Sequence, residues 1–138
     1  MKKRISKLLS TILVLSCITT AFSSATATSI VQPRYTGIAS ISAALRIPSG
    51  GASVPYGSVY VRDGYSADMT LELQRSSNGY SWSTIKDWTT SGTGVLTLEK
   101  TYYVTPGYDY RAKCSVKVYN SSGALVDNTY EYSATVSY

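Results

Sequence analysis

The chain has 138 residues, with 13 basic and 8 acidic side chains, two cysteines and no histidine. Without histidine, Ser-His-Asp and Cys-His catalysis are excluded, as are nearly all zinc sites. Four basic residues and no acidic ones fall in the first 27 positions, so the remainder carries nine basic against eight acidic groups, a net +1 that argues for no nucleic-acid partner.

Residues 1–27 have the pattern of a secretory signal peptide. Lys2, Lys3, Arg4 and Lys7 precede an apolar stretch from Leu8 to Phe22, and Ala25-Thr26-Ala27 is a small-x-small cleavage site. The apolar stretch is shorter than the roughly 20 residues a membrane span needs, so no span is expected after signal removal. The alternative is a lipoprotein signal, with Val14-Leu15-Ser16 before a lipidated Cys17. About 111 residues then remain, the size of one domain. They hold one cysteine, Cys114, so no internal disulfide forms. Its position in an alternating run predicts a small buried apolar residue; the alternative, a reactive thiol, needs an exposed electropositive setting.

Thr28–Tyr35 reads as a flexible leader, and the domain as 36–138. The first strand is predicted over Ile38–Ile47, with Ile41, Ala43, Leu45 and Ile47 on one face. Pro48-Ser49-Gly50-Gly51 ends it. Ala52–Arg62 is the second, where Pro55 predicts an edge or a bulge. After the turn at Asp63–Ala67, Asp68–Arg75 sets Met69, Leu71 and Leu73 inward. Asn78-Gly79 marks a hairpin turn, with a return strand over Trp82–Trp88 and a flexible loop over Thr89–Gly94. Val95–Lys100 turns Leu96 and Leu98 inward. Tyr108–Tyr119 alternates, with Tyr110, Ala112, Cys114, Val116 and Val118 on one face and Arg111, Lys113, Ser115 and Lys117 on the other. The turn Asn120–Gly123 leads to a last strand over Ala124–Val136, where Val126, Tyr130, Tyr132, Ala134 and Val136 share a face. Seven strands with turn signals every 8–15 residues predict an all-β sandwich.

Val104-Thr105-Pro106-Gly107-Tyr108-Asp109-Tyr110, followed by alternation, resembles the corner and following strand of fibronectin type III and related immunoglobulin-like domains. The resemblance implies that Tyr110 is a structural corner tyrosine whose hydroxyl bonds backbone near residues 104–107. The chain as a whole is similar to small exported proteins of Gram-positive bacteria that form a family of unknown function. That similarity implies no activity.

Three short motifs spell known chemistry without its context. Ser83-Thr84-Ile85-Lys86 reads S-x-x-K, but a strand sends i and i+3 to opposite faces and the companion motifs S-D-N and K-T-G are absent. Ser77–Trp82 resembles the Asp-box turn of sialidase-type propellers, yet it is one residue short, carries Asn where the acid belongs and does not repeat. Asp63 and Asp68 bracket a loop that could hold Ca²⁺, although two carboxylates so spaced are common in solvated loops.

The expected function is that of an exported, non-catalytic binding module without a cofactor. Thirteen tyrosines and two tryptophans are more than a core of this size takes in, and exposed aromatic side chains give rigid contact area with a polar tip. Tyr65, Tyr80, Trp82 and Trp88, near turns, are the candidate contacts for an extracellular glycan or protein. The alternatives are a structural or self-assembling protein joined through a sheet edge, and a secreted inhibitor or toxin. No sorting motif follows the last strand, so release or non-covalent retention at the envelope is expected. For the last hairpin, parity predicts directly opposed residues whose numbers sum to 244, pairing Lys113 with Glu131 and Lys117 with Asp127. That charge-balanced face would be a poor ligand platform.

Overall fold

A computed structural model describes residues 33–138. The expected signal peptide, Cys17 and the leader up to residue 32 lie outside the described residues. The strands are β1 (Ile38–Arg46), β2 (Ala52–Val61), β3 (Ser66–Ser76), β4 (Ser83–Gly92), β5 (Val95–Glu99), β6 (Tyr102–Tyr103), β7 (Asp109–Tyr119), β8 (Leu125–Tyr132) and β9 (Val136–Ser137), and there is no helix among the described residues.

Two antiparallel sheets form a β-sandwich. One has the order β1-β2-β5, with β6 pairing the start of β2; the other has the order β4-β3-β7-β8, with β9 pairing the start of β7. Alternation along β5 and β7, over Ser66–Leu73 of β3 and over Tyr56–Val61 of β2, is what lets the sheets close, because each turns one apolar row to the other. Val59, Val61, Met69, Leu71, Leu96, Leu98, Ala112, Cys114, Val116 and Val118 form the core, with Ile38 at one end. Gly57 permits close approach of the two sheets. A Cβ there would lie 3.0 Å from the Cys114 sulfur and 3.2 Å from a Leu71 methyl.

Tyr110 is wholly buried, and its hydroxyl donates to the Thr105 carbonyl at 2.5 Å. This bond closes the loop that leads into β7, so the entry of the central strand is tied to the turn before it. Three local expectations are corrected. Pro55 lies in a central strand, neither on an edge nor in a bulge. It opposes Leu45 of β1 and accepts from Lys100 N just beyond the end of β5, so its missing N–H falls where the β5 ladder runs out. Thr89–Gly92 is not a loop. It continues β4, with Thr89 opposite Thr70 and Thr90 opposite Met69, and the Ser91 hydroxyl donates to Asp68 at 2.7 Å. Tyr35, assigned to the flexible leader, packs against the core.

The largest correction concerns β8. Lys113 opposes Tyr132, Ser115 opposes Tyr130 and Lys117 opposes Asn128, each pair summing to an odd number, whereas parity predicts 244. The reason is a bulge. Val118 opposes Asp127 and Tyr119 opposes Leu125, so Val126 is an extra residue that has no partner. One inserted residue sends every later side chain to the other face. Tyr130 and Tyr132 therefore point outward, while Asp127, Thr129 and Glu131 take the inner row at the rim.

That inner row is polar, and the start of the domain covers it. Asp127 accepts from the backbone N–H groups of Thr36 at 3.1 Å and Gly37 at 2.6 Å. The Tyr35 and Thr129 hydroxyls are 3.0 Å apart. A Cβ on Gly37 would lie 2.6 Å from a Val118 methyl, so only glycine brings this backbone close enough for the clasp.

Candidate binding face

The outer face of the β4-β3-β7-β8 sheet collects side chains from four strands. Register places Glu72 beside Lys113 and Gln74 beside Arg111, with Tyr132 beyond Lys113 on β8. Trp82 stands just before β4 at the same end. The Arg111 guanidinium carbon lies 4.2 Å from the Trp82 ring centroid and 3.8 Å from that of Tyr132, so the cation is held between two aromatic rings. Its Nε donates to Gln74 Oε1 at 2.8 Å, which fixes the plane of the group. Tyr132 meets Tyr130 edge to face at 5.1 Å, and Lys113 Nζ lies 5.1 Å from the Tyr130 ring. Lys113 also pairs with Glu72 at 3.2 Å, and Glu72 accepts from the Thr84 hydroxyl at 2.7 Å.

The result is a stripe in the order Trp82, Arg111, Tyr132, Tyr130, Lys113. Each cation is held by a polar partner and by ring faces, an arrangement worth roughly 0.5–1 kcal/mol per exposed contact. Among the described residues the terminal NH₂ groups of Arg111 make no hydrogen bond, so their donors remain available to an acceptor outside the chain. Tyr130 is 55% exposed and Tyr132 36%. The stripe is preformed, rigid and partly apolar, with donors at one end.

The four aromatic residues singled out from sequence do not form one surface. Tyr65 and Trp88 pack against the core, and Trp88 meets Tyr102 edge to face at 6.4 Å. Tyr80 is 91% exposed at the tip of the β3–β4 hairpin. Trp82 alone joins the stripe. The hairpin tip is ordered by Asn78, whose side-chain oxygen accepts from the N–H groups of Tyr80 at 2.9 Å and Ser81 at 2.8 Å, an Asx turn that aims the chain back towards Trp82.

Sequence reasoning misses Arg111 as a site residue, although it places it on this face correctly, because it expects Lys113–Glu131 and Lys117–Asp127 pairs to make the face a poor platform, pairs that the register does not form. It misses Tyr130 and Tyr132 because it carries alternation through the bulge. Two adjacent apolar residues at its position, Leu125 and Val126, are the interruption in the pattern that marks it.

The remaining candidates offer less. Cys114 is fully buried, and burial pushes its thiol up to about 11 from an ordinary value of 9.0. Asp68 is engaged with Ser91, and no group of three or more His, Cys, Asp or Glu side chains able to hold a metal occurs among the described residues. A bulge at Ile85 sets Ser83 opposite Arg75 and Lys86 opposite Leu73, so the two share a side of β4 after all, contrary to simple strand parity. No hydrogen bond joins their side chains. At the far end of the sandwich, an open depression of about 600 Å³ is lined by Arg62, Asp63, Tyr65, Thr93, Asn120 and Ser121, among others.

No protein-family model and no curated protein matches the chain.

Proposed function

We propose that this is an exported, non-catalytic binding module built on an immunoglobulin-like sandwich of the fibronectin type III kind. The strand order and the Tyr110 corner support the fold assignment, and the similarity to small exported Gram-positive proteins fits it. The observation that carries the function is the Trp82–Arg111–Tyr132–Tyr130 stripe on the outer sheet face. Its ligand is an extracellular glycan. The exposed rings of Tyr130 and Tyr132 accept the C–H face of a sugar, and the free Arg111 donors bind its hydroxyl or carboxylate oxygens. The absence of histidine and the suppressed ionisation of Cys114 support a non-catalytic reading.

Trp82 gives the test a signal. Titration with neutral and acidic cell-wall glycans is expected to shift its fluorescence, and Trp82→Phe is expected to abolish the shift while Trp88 emission remains. Tyr132→Ala is expected to weaken binding at least about tenfold, the loss of one stacked contact. Binding that is unchanged by Tyr132→Ala and Arg111→Gln together rules out this face.

A further inference from the structure

The four lateral edges of the sandwich are not protected alike. β4 carries the Ile85 bulge with Lys86 and Asp87 in its course, β8 carries the Val126 bulge with Asp127 and Glu131, and β5 is five residues long and ends at Glu99. Bulges, charges and shortness are the ordinary means by which a sheet edge avoids pairing with another chain. β1 differs. Its one bulge, at Ala39, lies at its start; beyond it the β1–β2 register is unbroken from Ser40 to Arg46, and from Tyr35 to Leu45 there is no charged residue and no proline.

The direction of the β1 backbone groups follows from β2. Pro55 accepts from Lys100 on the β5 side, so odd residues of β2 turn their amide groups to β5 and even residues turn theirs to β1. Leu45 opposes Pro55, Ala43 opposes Gly57 and Ile41 opposes Val59. Ile41, Ala43 and Leu45 therefore turn N–H and C=O away from β2, and among the described residues no strand lies beyond β1 in its sheet. The same three side chains point inward and are only partly buried against the core.

We propose that β1 pairs antiparallel with β1 of a second copy of this chain, about a two-fold axis through Ala43. The segment is self-complementary about that residue. Ile41 then opposes Leu45 of the second copy, Ala43 opposes its own counterpart, and Ser42 opposes Ala44. The outward-turned residues form the hydrogen-bonded pairs, about six N–H···O bonds in all. Each Ile41 covers the half-exposed Leu45 across the axis. On the outer face Ser42 meets Ala44 and Arg46 meets Ser40, so the one charged residue of the ladder faces a small hydroxyl and no like charge opposes the approach. The two β1-containing sheets become one continuous sheet. An unrelated extended peptide would also find free backbone groups here, but not the reciprocal Ile41–Leu45 and Ser42–Ala44 matches.

This inference goes beyond the glycan-binding reading and does not depend on it. The experiment uses sedimentation velocity over a wide concentration range, on the full chain in whatever processed form the producing cell leaves it. The expected result is a reversible monomer–dimer equilibrium.

Ser42 and Ala44 are on the outer face, so charges placed there leave the fold intact, as a thermal melt will verify. The double variant S42K/A44K sets like charges opposite each other twice and is expected to weaken dimerisation about tenfold or more. S42K/A44E sets opposite charges in the same places and is expected to dimerise at least as well as wild type. A mixture of S42K/A44K with S42E/A44E is expected to restore the dimer as a heterodimer. A monomer at every concentration overturns the proposal. So does a dimer equally strong in S42K/A44K and S42K/A44E, which places the contact elsewhere.

Discussion

On its β3 side, β7 runs through eleven consecutive pairs, from Ser66–Tyr119 to Ser76–Asp109, with no shift of register. On its β8 side, the ladder skips Val126 near one end and breaks at Ser133 near the other, where the Ser133 hydroxyl accepts from Ala112 N at 2.8 Å. The same strand thus faces a regular neighbour and an interrupted one. On the regular side every inward residue meets an inward residue, giving a continuous apolar row. On the interrupted side, polar residues fall on the inner row and aromatic ones on the outer. Regular pairing builds the core, and the bulge builds the candidate binding face.

The largest expected effect lies on the regular side. Leu71→Ala removes a fully buried side chain opposite Cys114 and is expected to cost about 3 kcal/mol in a urea titration. A loss below about 1 kcal/mol would mean that stability is not concentrated in the β3–β7 ladder. Next comes Asp127→Ala on the interrupted side. It deletes two charge-assisted bonds to Thr36 and Gly37, for an expected loss of about 2 kcal/mol. Hydrogen exchange at the Thr36 and Gly37 amides should accelerate in this variant, and unchanged protection there would show that the clasp is not what orders the start of β1.

Tyr110→Phe is expected to cost about 1 kcal/mol, because it leaves the Thr105 carbonyl without its donor. A neutral substitution would make the corner bond dispensable for the entry into β7.

The smallest effect tests how dry the regular side is. The folded Cys114 thiol ionises at about 11 and the unfolded one near 9.0. As pH rises through 9, the unfolded chain gives up this proton first while the folded chain keeps it. The thiol's contribution to stability therefore declines between those two values. Comparison of wild type with Cys114→Ala across that range isolates this trend from the tyrosines, which both proteins share. Thiol labelling of the native protein is expected to be slow and to quicken in denaturant; fast native labelling would show water reaching the core row.

Much of the sandwich was legible from residue types alone. Alternation through Ala112–Val118 and Met69–Leu73 identifies core strands because side chains on a strand change face at every step. Asn78-Gly79 marks its turn, and Pro106-Gly107 with Tyr110 marks the corner. The candidate binding face was less legible. Trp82 stands out as an aromatic residue beside a turn, but parity counted from Val126 sends Tyr130 and Tyr132 to the wrong side. A bulge is one unpaired residue, and it leaves almost no trace in composition. Trp88 and Tyr65 mislead for a related reason: closeness to a turn does not tell which face a side chain takes, and both turn to the core.

The Asp127 clasp also has a consequence for timing. Its two bonds join residues 91 and 90 positions apart. β1 precedes β8 by this distance along the chain, so the clasp on the first strand cannot close until Asp127 is available. Contacts of such long sequence separation are slow to form, because the loop between them must be ordered first. A growing chain therefore leaves this clasp open until β8 emerges, and the seam between β1 and β8 closes later than the pairing of β1 with its neighbour β2.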